Sequence, residues 1–117
     1  MLATVFFLTL TSDQVDEINK HGWDGDLGTR YLAAKDGDIV NNRWMFKPAA
    51  SMQAGNAEQV WMALQNINSS WTENQDIEVM NDQGRSMDVG DFIVWDDGST
   101  ERCANCGFES VPTMAAA

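Results

Sequence analysis

From its first residues the chain alternates between dense apolar runs and polar, glycine-punctuated breaks. Val5 to Leu10 is apolar at successive positions and rich in β-branched and aromatic side chains. That pattern predicts a strand buried on both faces, near the centre of a sheet. A helix is predicted next. Thr11 stands as its N-cap with Gln14 three residues on, a capping-box pair, and Leu10 and Val15 occupy hydrophobic-staple positions. Val15 and Ile18 share one face. Asp13, Asp16 and Glu17 come early and Lys20 and His21 late, as the helix dipole favours, and Gly22 is a natural stop. Residues 23–28 read as a loop, 29–34 as a strand and 39–46 as another strand, with Asp36-Gly37 as a hairpin signal between them. Residues 47–55 read as a connection. A second helix is predicted from about Asn56 to Ile67, with Asn56 as its cap. Val60, Ala63, Leu64 and Ile67 recur at helical spacing, and Trp61 widens that stripe.

The remainder reads as β-structure. Ile77 and Val79 alternate with Glu78 in a half-buried strand at 76–80, and residues 81–86 form a turn. Phe92 to Trp95, then Asp97-Gly98, then a return strand make a hairpin, and a short strand at Phe108–Val111 stops at Pro112. The predicted fold class is α+β: two helices on one face of an antiparallel sheet, in the ferredoxin-like β-α-β-β-α-β order, with a C-terminal β-hairpin or meander unit. The 117 residues fit one domain over 1–112, with a possible subdomain boundary near 68–75. Residues 113–117 read as a tail or cloning remnant.

Composition narrows the function classes. Eighteen acidic residues against seven basic ones give a net charge of −11. No Lys/Arg cluster is present for phosphate contacts, which argues against direct nucleic-acid binding. A solvated, self-repelling surface accounts for the acidity; the more specific reading is an acidic face that occupies a partner's basic, nucleic-acid-binding site. The apolar stretch Leu2 to Leu10 is too short to span a bilayer and has no basic flank or cleavage pattern, so no membrane association is expected and the cytoplasm is the expected compartment.

Candidate chemistry centres on Cys103 and Cys106, the only two cysteines. With His21 the only histidine, a closed Cys/His zinc site cannot be assembled within one chain. A redox pair needs a helix N-terminus after it, and the residues that follow do not read as a helix. The simpler expectation is an inward Cys103 on a strand and Cys106 beside a turn, with no cofactor and no metal. Asp24-Gly-Asp26 and Asp36-Gly-Asp38 lack the ligand ladder of a calcium loop and read as turns. No nucleophile, metalloprotease or phosphate-loop motif is present, so no catalytic residue is nominated. Among the tryptophans, Trp61 and Trp95 read as core. Trp23, Trp44 and Trp71 lie in or near loops or an edge, and a partly buried lid on the core is the favoured reading for them. With Asp24 and Asp26 they are also the candidate partner-binding residues, since exposed aromatics commonly anchor interfaces.

Between Gly84 and Val111 the chain resembles the YodL-like segment of small proteins from phages, plasmids and other mobile elements. Arg85-Ser86-Met87-Asp88-Val89-Gly90-Asp91 opens the pattern, Phe92 to Trp95 is its strand, and Cys103 with Gly107-Phe108 closes it. Asp88 stands where the pattern has Ser. The resemblance covers about a quarter of the chain and implies a mobile-element origin and a small α+β fold, with no activity to carry over. In that pattern Cys103 has a counterpart, while the position of Cys106 is commonly another residue, which implies packing rather than a metal pair. The resulting expectation is an acidic accessory protein, monomer or homodimer, that binds another protein. The alternative is an enzyme or metal-binding protein using scattered carboxylates with Cys103 and Cys106.

Overall fold

The computed structural model describes residues 1–82 and 84–111. In chain order the elements are β1 (Leu2–Leu8), α1 (Ser12–His21), α2 (Asp26–Lys35), a 3-10 helix (Val40–Met45), β2 (Phe46–Gln53), α3 (Ala57–Ala63), a 3-10 turn (Trp71–Glu73), β3 (Glu78–Val79), β4 (Phe92–Trp95), β5 (Thr100–Ala104) and β6 (Gly107–Val111). The six strands form one antiparallel sheet in the order β3-β2-β1-β4-β5-β6. The chain is therefore α+β, but not in the ferredoxin-like order.

Alternation along β1 divides the interior into two layers. Ala3, Val5 and Phe7 face one side, where Ile93 and Trp95 of β4, Val60 and Leu64 from the α3 region, and Trp71 pack with them. Phe6 and Leu8 face the other side, with Phe92, Met45, Ile39 and Ala34 of α2. A strand sends successive side chains to opposite faces, so both faces of the sheet are covered. This corrects the expectation that the helices share one face.

Local chemistry explains the elements that match expectation. At α1, Thr11 accepts from the Gln14 N–H while the Gln14 side chain accepts from the Thr11 N–H, and Ile18 is buried. Val15 stays exposed. Asn56 caps α3 through the Gln59 N–H, although the helix stops at Ala63, four residues short of Ile67. The β4–β5 turn closes with the Gly98 N–H on the Trp95 carbonyl, Gly98 having φ 87°. The expected stop at Pro112 and the tail at 113–117 lie outside the described residues.

Three expectations fail for identifiable reasons. Residues 29–34 belong to helix α2, not a strand. Leu27, Tyr31 and Ala34 recur at helical spacing toward the core, and Asp26 pairs with Arg30 one turn on at 3.4 Å. Residues 39–46 are mostly 3-10 helix. There the Asn42 side chain donates to the Asp38 carbonyl (2.8 Å) and that of Asn41 to the Asp38 carboxylate (3.1 Å), local bonds that compete with a sheet ladder. Residues 47–53, read as a connection, instead belong to β2, the neighbour of β1. Its register against β1 jumps from Val5↔Ala50 to Phe6↔Pro48, leaving Ala49 as the extra residue of a bulge. β3 pairs only with Ala50 and Ser51, so Pro48 sits where no outer ladder needs its missing N–H.

Candidate functional site

Residues 85–91 build a buried clasp against β1. Asp91 is fully buried at the start of β4. Arg85 grips it in a two-pronged pair, Nη1 to Oδ2 at 2.7 Å and Nη2 to Oδ1 at 2.9 Å. The Leu8 N–H donates to Oδ1 and the Asp88 N–H to Oδ2, each at 2.8 Å. Arg85 also donates to the carbonyls of Leu8 (3.0 Å) and Ser86 (2.9 Å), and its guanidinium lies 4.3 Å from the Phe7 ring centroid. Burial pushes the Asp91 carboxyl upward, and Arg85 with the backbone donors pulls it back. Burial likewise pulls the Arg85 guanidinium down, but hydrogen bonding to Asp91 and its charge hold it above its ordinary value. The Asp91 oxygens are taken up by the chain's own donors, so the pair joins β1 to residues 85–91 and leaves no carboxylate aimed at a ligand.

The other motif residues serve the same joint. The Ser86 hydroxyl accepts from the Asn66 N–H at 2.7 Å. Val89 packs half-buried on the core. Gly90, at φ 98°, donates to the Cys103 carbonyl at 2.9 Å, and a β-carbon there would stand 3.1 Å from the Lys35 Cα.

The residues expected at an interface separate into two kinds. Trp23 is 52% exposed on the loop between α1 and α2, its ring tilted against Tyr31 at 5.7 Å. Asp24 and Asp26 follow it, both exposed. Gly28 lets α2 approach this loop, since a β-carbon at Gly28 would lie 2.7 Å from the Trp23 Cα. Trp44 is 46% exposed on the 3-10 helix of the same layer. Trp71 is a correction: it is buried, meets Phe7 edge-on at 6.0 Å and donates Nε1–H to the Arg85 carbonyl at 2.6 Å. Trp95 lies in the core and Trp61 is half-buried against it.

The charge distribution was not readable from composition. Sixteen of the eighteen acidic side chains are exposed, whereas only Lys20, Arg30 and Lys47 of the seven basic ones are. Arg43 lies over the rings of Phe6 (4.4 Å) and Phe92 (5.6 Å), where burial lowers its pKa. Arg85 is in the clasp. Arg102 is buried, donating to the Lys35 carbonyl near the C-terminal end of α2 (3.3 Å) and to Glu109 across the β5–β6 pair (3.2 Å). The fold draws these cations inward and leaves a surface dominated by carboxylates.

The cysteines separate as expected. Cys103 is buried on β5 and Cys106 is exposed in the β5–β6 turn, both as free thiols. Burial pushes the Cys103 thiol up to about 11, with the negative charges of Asp91 and Asp88 adding to it. Because the folded-state value lies above the ordinary 9, the stabilisation from keeping this thiol protonated is full below pH 9 and is lost as pH rises toward 11. A thiol reagent at pH about 8 is expected to label Cys106 rapidly and Cys103 only on unfolding; equal rates would contradict the burial. Glu17, His21 and Asp26 line a cleft of about 330 Å³ between α1 and α2. Among the described residues, no three His, Cys, Asp or Glu side chains converge to hold a metal ion, and no helix is long and apolar enough to cross a membrane. Comparison with known proteins finds no matching family model, curated protein or solved structure.

Proposed function

We propose that this chain is a non-catalytic protein-binding module that presents an acidic, tryptophan-bearing surface to a basic partner and blocks a nucleic-acid-binding site there. The observation that carries the reading is the segregation of charge. Carboxylates stay at the surface, while Arg43, Arg85 and Arg102 fold inward onto rings, a buried carboxylate and a helix end. Such a surface attracts basic faces over a distance and repels nucleic acid. The loop with Trp23 and Asp24, and Asp26 at the start of α2, join a large exposed ring to two exposed carboxylates, a combination suited to an interface anchor with a charged rim. The commitment of Asp91 to internal donors supports the non-catalytic part. The resemblance to mobile-element proteins supplies the setting, an accessory protein in the cytoplasm of a host cell.

The test is capture of a partner on immobilised protein from bacterial lysate at low and high salt. A specific partner is expected at low salt and is lost as salt rises, because exposed charges are screened. Added duplex DNA is expected to compete it off. Trp23→Ala combined with Asp24→Asn and Asp26→Asn is expected to weaken capture about tenfold, the loss of one interface anchor. Absence of any specific partner at low salt, or a partner indifferent to both salt and the triple variant, would sink the proposal.

A further inference from the structure

The sheet ends differently at its two edges. β3 is two residues long, whereas β6 runs five residues, and among the described residues nothing pairs with its outer side. Proteins commonly blunt such edges with proline, a bulge or charged side chains; Gly107–Val111 has no proline or bulge, and its one charge, Glu109, pairs with Arg102 of β5. The direction of its backbone groups follows from β5. Cys103 donates its N–H to the Asp91 carbonyl (2.8 Å) and accepts from the Gly90 N–H (2.9 Å), both toward β4. Its cross-strand neighbour is Phe108. The Cys103–Phe108 pair is therefore not hydrogen-bonded, and Phe108 turns its own N–H and carbonyl outward. By the two-residue period, so does Ser110.

Beside this edge lies an apolar groove of about 270 Å³. Trp61, Val89, Cys103 and Phe108 line it, and Glu58 stands at its rim. Trp61 and Phe108 are only partly buried there, so part of their apolar surface faces the groove.

We propose that β6 is a strand-addition site for an extended segment of the protein partner, one that alternates basic and large apolar residues. The inference rests on the reading of the chain as an acidic binding module and narrows it to one edge. The segment's backbone bonds to Phe108 and Ser110, its apolar side chains enter the groove by Trp61 and Phe108, and its basic ones, on the opposite face of the strand, meet Glu109 and the surrounding acidic surface. The net charge of −11 favours such a basic segment and disfavours a second copy of the chain, which carries the same charge.

The probe is a labelled peptide of alternating lysine with phenylalanine or valine, with a control of the same composition whose lysines and apolar residues are grouped into blocks. The alternating peptide is expected to bind more tightly than the control and to slow amide hydrogen exchange at Phe108 and Ser110. Ser110→Pro removes one outward N–H at an edge position that tolerates proline, and is expected to weaken binding about tenfold, the size of one lost hydrogen bond. Should that variant not fold, the exchange pattern of the unaltered chain decides. Protection confined to the Trp23–Asp26 loop, or binding unchanged by Ser110→Pro, overturns the strand-addition site and leaves the acidic-module reading standing. So does failure of the peptide to bind while salt-sensitive capture persists. A dimer of the unaltered chain that Ser110→Pro dissociates overturns the basic occupant in favour of a second copy.

Discussion

Replacing Asp91 with alanine is expected to destabilise the protein by roughly 3–5 kcal/mol, because it orphans two backbone donors and leaves the half-buried Arg85 without its partner. The variant strips Arg85 of both bonds of its two-pronged pair and leaves the N–H groups of Leu8 and Asp88 without their acceptor. Arg85→Met alone is expected to be similarly damaging, because it abandons the Asp91 charge in the interior and removes the bond to the Leu8 carbonyl. Together, Arg85→Met and Asp91→Leu should cost less than the sum of the two, with a coupling of about 0.5–3 kcal/mol. The double variant still leaves the two backbone donors orphaned, at about 1–3 kcal/mol each. Urea unfolding of the four proteins measures this. A shift under about 1 kcal/mol for Asp91→Ala would mean that the clasp does not hold β1 to residues 85–91. Since burial is the largest influence on Asp91, the pair's net contribution is smaller than the cost of breaking it.

The second large effect is expected at Trp71. Trp71→Ala should cost roughly 3–5 kcal/mol through the cavity it leaves beneath Phe7. It also deprives the Arg85 carbonyl of its indole donor, so it loosens the clasp from the other side. Trp71→Phe keeps much of the volume but not the N–H and should fall between alanine and the unaltered chain. Trp23→Ala and Trp44→Ala, which remove rings about half exposed, should shift stability by no more than about 1 kcal/mol. Thermal and urea unfolding separate the groups: if Trp71→Ala proved as mild as Trp23→Ala, Trp71 would have to be reinstated as a surface residue. In partner capture, Trp23 should matter without affecting the fold.

Much of the local structure was legible because its causes lie within a few residues. Thr11 and Gln14 cap each other, Asn56 reaches Gln59, and Gly98 permits the turn that returns β4 to β5. The helical signal of α2 was also present, in Asp26 and Arg30 one turn apart and in Leu27, Tyr31 and Ala34 facing one way. The β-forming character of Thr29 and Tyr31 and the hairpin-like Asp36-Gly37 pointed elsewhere. β2 was hidden for another reason. A run with Pro48 and two small alanines looks like a connection until β1 lies on one side of it and a two-residue β3 on the other.

The candidate site divides in the same way. The inward Cys103, the turn-side Cys106 and the exposed Asp24 and Asp26 follow from neighbours in sequence. The burial of Trp71 does not, nor do the burial of Arg102 and the partial withdrawal of Arg43 and Arg85 from the surface. Asp91 meets the Leu8 N–H across 83 positions, Arg85 meets the Leu8 carbonyl across 77, and Arg102 meets the Lys35 carbonyl across 67. By itself the sequence determined the caps, the turns, the alternation of β1 and the excess of acid over base. Only the tertiary structure decided which faces those helices cover, which tryptophans are enclosed, and that the cations turn inward while the carboxylates remain outside. The physical reason is that each of these depends on partners the chain must fold to bring within about 3 Å of one another, the range of a hydrogen bond.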